Sequence, residues 1–273
     1  MADQQAMRRI ALRVEYDGTR FHGFQIQLRA LTIQGVLEDA LQTLLGQPTR
    51  IYGAGRTDTG VHAVGQVATF VTTATHDTGT FQRALNARLP ADVAVTDACE
   101  VGVAFDVRRH ARRRWYRYVM LNREASSPLL RHATALVRGG LDTTAMAQAA
   151  ALLVGQHDLA SFSGTPSKPT TTVRRVFEAR VTQMGPFVLF DMHAEAFLPQ
   201  QVRRTAGVLL EIGKGAYGLE QVRHLLEQPV LGAADHAAPP QGLYLMNVEY
   251  PDGAVHFSVQ STEELVPFSL ITK

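Results

Sequence analysis

Asp58 is the residue of this sequence best placed to do chemistry. It stands in the stretch Gly53–Ala63, read GAGRTDTGVHA, with Arg56 two positions before it and glycines at 53, 55 and 60. A carboxylate displayed next to a cation suits proton transfer or nucleophilic attack. The glycines let the backbone take turns that residues with a Cβ resist. An apolar run resumes at Val64 and continues to Val71, so the loop lies between two apolar segments, where a rigid scaffold can hold a reactive group.

Two other readings of the same residues compete with a catalytic one. A loop aspartate can simply cap a turn or pair with Arg56, and from these eleven residues alone that reading and a site weigh about equally. Asp58-Thr59-Gly60 is also the active tripeptide of aspartic proteases, and a second copy stands at Asp77-Thr78-Gly79. Those enzymes draw one carboxylate from each of two lobes. Here the copies are too close in sequence for that, and Arg56-Thr57 replaces the hydrophobic residues that should run into the aspartate. Asp77 reads as a turn residue.

Charge is concentrated elsewhere. Six arginines fall between Arg108 and Arg117, interleaved with His110, Trp115, Tyr116 and Tyr118, while Arg174-Arg175 and Arg203-Arg204 form further pairs. Guanidinium beside aromatic is the combination that holds phosphates and stacks on bases. A solvated charged face is the plainer reading of such a run. Metal and nucleotide signatures come out negative. The ten histidines show no HExxH or Cys/His spacing, and Asp58 occupies the third glycine position of a dinucleotide fingerprint. Gly207–Lys214 misses the P-loop spacing by one residue. No cofactor is expected.

The totals set the outer bounds. With 273 residues, 45% hydrophobic and 19% charged, the chain has length and apolar content for one large or two ordinary domains. The net charge of +2 says little about partners. One cysteine, Cys99, fits a reducing compartment, and the opening MADQQAMRRI is polar, so a cytoplasmic location is expected.

The elements that must position Asp58 follow from periodicity. Residues 10–16 alternate as a strand closed by Asp17-Gly18. Thr32 caps a helix with Ile33, Val36, Leu37, Ala40, Leu41, Leu44 and Leu45 on one face, stopped at Gly46. A short strand leads into the glycine-rich loop, residues 66–71 form the next strand, a helix carries Phe81, Ala84 and Leu85, and residues 93–96 are a strand. That βαββαβ order is the ferredoxin-like unit. Beyond a boundary near 105–112, strands are expected over 115–121, 173–182, 187–194 and 243–250, with helices after Asp142, over 200–212 and over 219–226. Residues 157–172 read as a mobile loop. The expected fold class is α+β: two ferredoxin-like or RRM-like α/β halves, a largely antiparallel mixed sheet and a central basic cleft. Residues 1–107 would carry the catalytic loop, and 108–273 would complete the cleft.

GAGRTDTGVHA resembles the central motif of the tRNA pseudouridine synthase I family. The resemblance continues through Tyr16-Asp17-Gly18, Phe21-His22-Gly23-Phe24-Gln25, Trp115-Tyr116-Arg117-Tyr118, Ala196-Phe197-Leu198, Val202-Arg203 and Gly242-Leu243-Tyr244. It implies an isomerase that converts uridine to pseudouridine at positions 38, 39 and 40 of the tRNA anticodon stem-loop, without a cofactor. It also implies Asp58 as the catalytic residue, with Tyr116, Arg203 and Arg56 meeting the substrate. A homodimer across which one tRNA lies is implied as well, while no membrane is expected because no apolar run reaches the length of a membrane span. The chain departs from the family pattern at Phe24, where tryptophan is common, at Thr59, where alanine is usual, and at Gln201, where methionine is frequent. The alternative from another class is a catalytically idle RNA-binding protein of the same fold.

Overall fold

The computed structural model describes residues 6–165 and 171–258. The chain divides into two compact units, one formed by residues up to Arg112 together with the chain from Leu245, the other by Arg113–Tyr244.

The first unit runs β1 (Arg8–Tyr16), α1 (Ile33–Leu45), β2 (Tyr52–Gly53), β3 (His62–Thr72), α2 (Thr78–Asn86) and β4 (Val93–Val101). This is the expected βαββαβ order. Both helices start where a side chain can satisfy a free N–H. Thr32 Oγ1 accepts from Gly35 N, and Asp77 Oδ1 accepts from Thr80 N. The second Asp-Thr-Gly is therefore a helix cap. Gly46 ends α1 at φ 70°, a left-handed position that glycine takes without strain. β1 lies antiparallel between β3 and β4, and β2 pairs with β3.

The polar half of the alternation in β1 does not face water. Arg13 is only 7% exposed, hydrogen-bonded to Asn247 Oδ1 at 3.2 Å and 5.6 Å from the ring of Phe257. β3 is buried over nine consecutive residues, so it reads as a continuous apolar run rather than an alternating one. The chain from Leu245 supplies most of β10 (Leu243–Glu249), which neighbours β3. Gly65 is required there, because a Cβ would lie 2.3 Å from Met246 O. Arg112 N donates to Glu249 O, and the Tyr250 hydroxyl to Val107 O.

The second unit contains β5 (Arg113–Asn122), β6 (Ala135–Val137), α3 (Thr143–Ala151), β7 (Gly155–Asp158), β8 (Val173–Met184), β9 (Phe187–Ala194), α4 (Gln201–Gly213) and α5 (Leu219–Glu227). The strands run antiparallel in the order β5-β9-β8-β7, and β6 pairs parallel with β5. Gly185, at φ 56°, turns the β8–β9 hairpin. The loop expected over 157–172 is not loop throughout. His157-Asp158 belongs to β7, paired with Arg174 and Val173, and Ala160–Phe162 forms a helical turn. Backbone pairing with β8 overrides the polar composition. Residues 166–170 lie outside the described residues. No helix among the described residues is long and apolar enough to cross a membrane.

Candidate active site

The glycine-rich loop is held on both sides of Asp58 by groups distant in sequence. Ala54 N donates to Val67 O at 2.8 Å as the chain leaves β2. Gln66, fully buried in β3, then clamps Gly55. Its Nε2 donates to Gly55 O at 2.9 Å, and its Oε1 accepts from Gly55 N at 3.4 Å. The same Nε2 lies 3.4 Å from the Tyr16 hydroxyl, whose oxygen is 2.9 Å from Thr57 Oγ1. Burial pushes the Tyr16 phenol up to about 12, against the opposing pull of its bonds to Thr57 and Gln66. It therefore stays neutral and serves as a hydrogen-bonding post.

Residues 18–24 close over the other side of the loop. Phe24 N donates to Thr57 O at 3.1 Å, and Gly60 N to Phe21 O at 3.2 Å. Gly23 sits at φ +84°, and a Cβ there would come within 2.4 Å of Thr57 O. Val61 N donates to Asp58 O at 3.1 Å, closing a turn through Gly60 at φ 76°. Asp58 is thus a half-buried carboxylate on a backbone fixed before, at and after it. Arg56 is exposed, and its Nε donates to Gln25 Oε1 at 3.1 Å. Gln25 is bonded in turn to Gln34 of α1 at 2.7 Å, and Gln34 to Glu38 at 2.7 Å and Ile51 O at 3.1 Å.

Beside the loop, Asp17 is held well below the usual carboxylate range. His62 is the first cause, and bonds from Thr19 add to it. His62 Nδ1 lies 3.2 Å from Asp17 Oδ1 and 3.1 Å from Gly18 N. These two contacts belong to different ring states. A neutral ring protonated on Nε2 accepts from Gly18, whereas a ring carrying the Nδ1 proton donates to Asp17. Thr19 N at 2.9 Å and Thr19 Oγ1 at 2.5 Å hold Asp17 in either state.

In the second unit, Tyr116 lies on β5 opposite Met192 and is 6% exposed, its ring 4.9 Å from Phe197 at 78°. Arg203 is in the first turn of α4, half-buried, with Nε donating to Ala238 O at 2.8 Å. Ala238 N returns a bond to Arg203 O at 2.9 Å. Arg204 bonds Gly232 O and Ala234 O, so the pair fastens the 232–238 loop to the helix. Gly207 lets that loop approach, since a Cβ would be 2.0 Å from His236 O. Gln201, one of the departures from the family pattern, is buried and uses its Oε1 to accept from Leu198 N at 2.8 Å.

Arg56 and Asp58 therefore share one loop of the first unit, and Tyr116 and Arg203 stand on β5 and α4 of the second. Within the arginine–aromatic run, Arg114 and Arg117 are engaged inside the unit. Arg117 is paired with Asp191 at 2.8 Å, and Asp191 also accepts from Trp115 Nε1 at 2.7 Å. Arg114 donates to Glu195 O at 2.5 Å and is 7% exposed, while Tyr118 is fully buried with its hydroxyl on Pro239 O. The aromatics alternate with arginines because β5 is covered on both faces. Arg109, with 87% of its side chain exposed, fits the solvated reading.

The sequence reading assigns no anchoring role to Thr57, Gln66, Gln25 or Gln34. One signal was available for Gln66, a polar residue inside the apolar run Val64–Val71, because a buried amide needs partners.

The model of the tRNA pseudouridine synthase family matches residues 12–108 and 149–251. Those segments contain Arg56, Asp58 and Arg203, and Tyr116 falls between them. The chain is 42% identical over 244 residues to the tRNA pseudouridine synthase A of Geotalea uraniireducens (strain Rf4), covering 89% of this chain and 100% of that one. It is 43% identical over 247 residues to the protein of the same name from Geobacter sp. (strain M21), with 90% and 100% covered. The corresponding protein of Shewanella piezotolerans (strain WP3 / JCM 13877) is 41% identical over 251 residues, with 92% and 95% covered.

Proposed function

Because the chain belongs to the tRNA pseudouridine synthase family, we propose that it isomerises uridine to pseudouridine at positions 38, 39 and 40 of the tRNA anticodon stem-loop. The observation that carries this reading is Asp58 itself, a half-buried carboxylate on a loop anchored through Gly55, Thr57 and Gly60. A nucleophile held this way loses little freedom when it meets its target.

In the reaction the N1–C1′ bond breaks, the uracil turns, and C5 bonds to C1′. The hydrogen on C5 leaves as a proton and N1 gains one, so the product is an isomer and no electrons are exchanged. Asp58 is the nucleophile in this reading. Arg203, in the first turn of α4, meets the substrate in the same reading. Tyr116 stacks on the target uracil. Arg56 enters the helix in place of the extruded nucleotide. Extrusion costs a few kcal/mol, and a stacking contact returns about 1–3 kcal/mol, so a ring and a guanidinium together balance it. The same reading makes the enzyme a cytoplasmic homodimer that needs no cofactor.

The test is tritium release from tRNA labelled at uridine C5. The wild-type protein is expected to release label, and Asp58→Asn to bind tRNA without releasing it, its rate lower by at least about 10²- to 10⁴-fold. A wild-type protein that shifts tRNA on a gel without releasing label would be an idle RNA-binding protein instead.

A further inference from the structure

A cavity of about 580 Å³ opens in the first unit, with Arg9, Arg50, Arg56 and Arg108 among its lining residues and Tyr52 on its wall. Four arginines line it against one carboxylate, Asp106. That carboxylate is already engaged, its Oδ1 accepting from Arg108 N and Arg109 N at 2.9 Å. Arg56 donates to Gln25, and two of the other arginines, Arg9 and Arg50, are lightly held. Arg9 uses Nε on Val103 O at 2.9 Å, and Arg50 meets Glu38 only at 3.4 Å in a partly exposed pair worth little. Like charges gathered in one concavity favour an anion, and guanidinium forks match phosphate.

Tyr52 adds a second, independent feature. It sits on the two-residue edge strand β2, opposite Thr69, and is 57% exposed. An aromatic ring left open beside arginines offers a face to a base. The volume lies in the range of pockets that enclose a molecule of nucleotide size. The wall also includes Gly55 and Arg56, so the cavity adjoins the loop that displays Asp58.

We propose that this cavity holds one unpaired nucleotide of the tRNA, separate from the target uridine, with its base on Tyr52 and its phosphate among Arg9, Arg50 and Arg108. The assignment rests on tRNA being the substrate. A nucleotide seated there keeps the strand beside the catalytic loop while the target is extruded. An RNA source is favoured over a free nucleotide because the cavity shares Gly55 and Arg56 with the loop that displays Asp58.

The experiment measures equilibrium binding of a tRNA transcript, of a fully paired RNA duplex of similar length, and of adenosine monophosphate. Tyr52→Ala is expected to weaken tRNA binding by roughly 5- to 150-fold, with Tyr52→Phe close to wild type and duplex binding unchanged. Arg50→Ala is expected to reduce the slope of log affinity against log salt by about one. Tyr52→Ala binding tRNA within twofold of wild type overturns the proposal. Equal losses for tRNA and duplex also overturn it, because they mark a backbone surface. So does adenosine monophosphate that saturates the wild type without competing with tRNA. A wild-type protein with this binding pattern but no tritium release refutes the isomerase reading and leaves the cavity assignment standing.

Discussion

The hydroxyl oxygens of Tyr16 and Thr57 lie 2.9 Å apart, joining the end of β1 to the residue just before Asp58 across 41 positions of chain. Gln66 reaches the same phenol from β3 and grips Gly55 with both ends of its amide. Three buried side chains thus set the backbone on which the carboxylate stands.

Tyr16→Phe should separate positioning from binding. It leaves the Thr57 hydroxyl short of a buried partner, a loss of about 1–3 kcal/mol in denaturant midpoint. A displaced loop should slow tritium release by up to about 100-fold with tRNA affinity retained. A double-mutant cycle with Thr57→Val checks the coupling, and full additivity of the two losses would refute it.

Gly23→Ala should be the worst single methyl addition near the loop. It combines a left-handed backbone at φ +84° with a Cβ 2.4 Å from Thr57 O. Strain and collision together should lower stability by more than about 2 kcal/mol and slow turnover. Gly46→Ala is the control, since it has the same kind of backbone at φ +70° but open space around the Cβ. It should lose about 1–2 kcal/mol with turnover intact. Calorimetric melting and tritium release read both.

Asp17 should make stability depend on acid. Its carboxyl is held below its ordinary range, chiefly by His62 and then by Thr19. The folded state therefore binds that proton less readily than the unfolded chain. The stabilisation is full above the unfolded value of about 3.9 and fades as pH falls below it. Urea unfolding should show wild type more stable than Asp17→Asn at pH 6, with the gap narrowing towards pH 2. A constant gap would remove Asp17 as its source.

The arginine cluster should divide between a buried ion pair and an exposed cation. Asp191, 1% exposed, accepts from Arg117 and Trp115, so Asp191→Ala leaves a buried charge unpaired and should destabilise by about 3–5 kcal/mol. Arg109→Ala, on an 87% exposed side chain, should change stability by less than about 0.5 kcal/mol. Denaturation midpoints of the two variants decide it.

Local signals in the sequence were enough for most of the helices and strands. Thr32, Asp77 and Asp142 each accept from a backbone N–H three residues on, and Gly46 and Gly185 turn the chain with positive φ, because capping and turn chemistry act over a few residues. The glycine spacing and Asp58 were equally visible. What periodicity missed depends on neighbours remote in sequence. Arg13 and Arg114 look solvent-facing as letters but are buried, and Arg117 is half-buried on Asp191, because strands and segments far along the chain cover them. β7 was hidden in a polar stretch because its partner, β8, supplies the pairing. The anchoring of the loop by Tyr16, Gln66 and Gly23 was likewise decided only in three dimensions. A hydrogen bond between residues dozens of positions apart leaves no periodic trace in the chain that makes it.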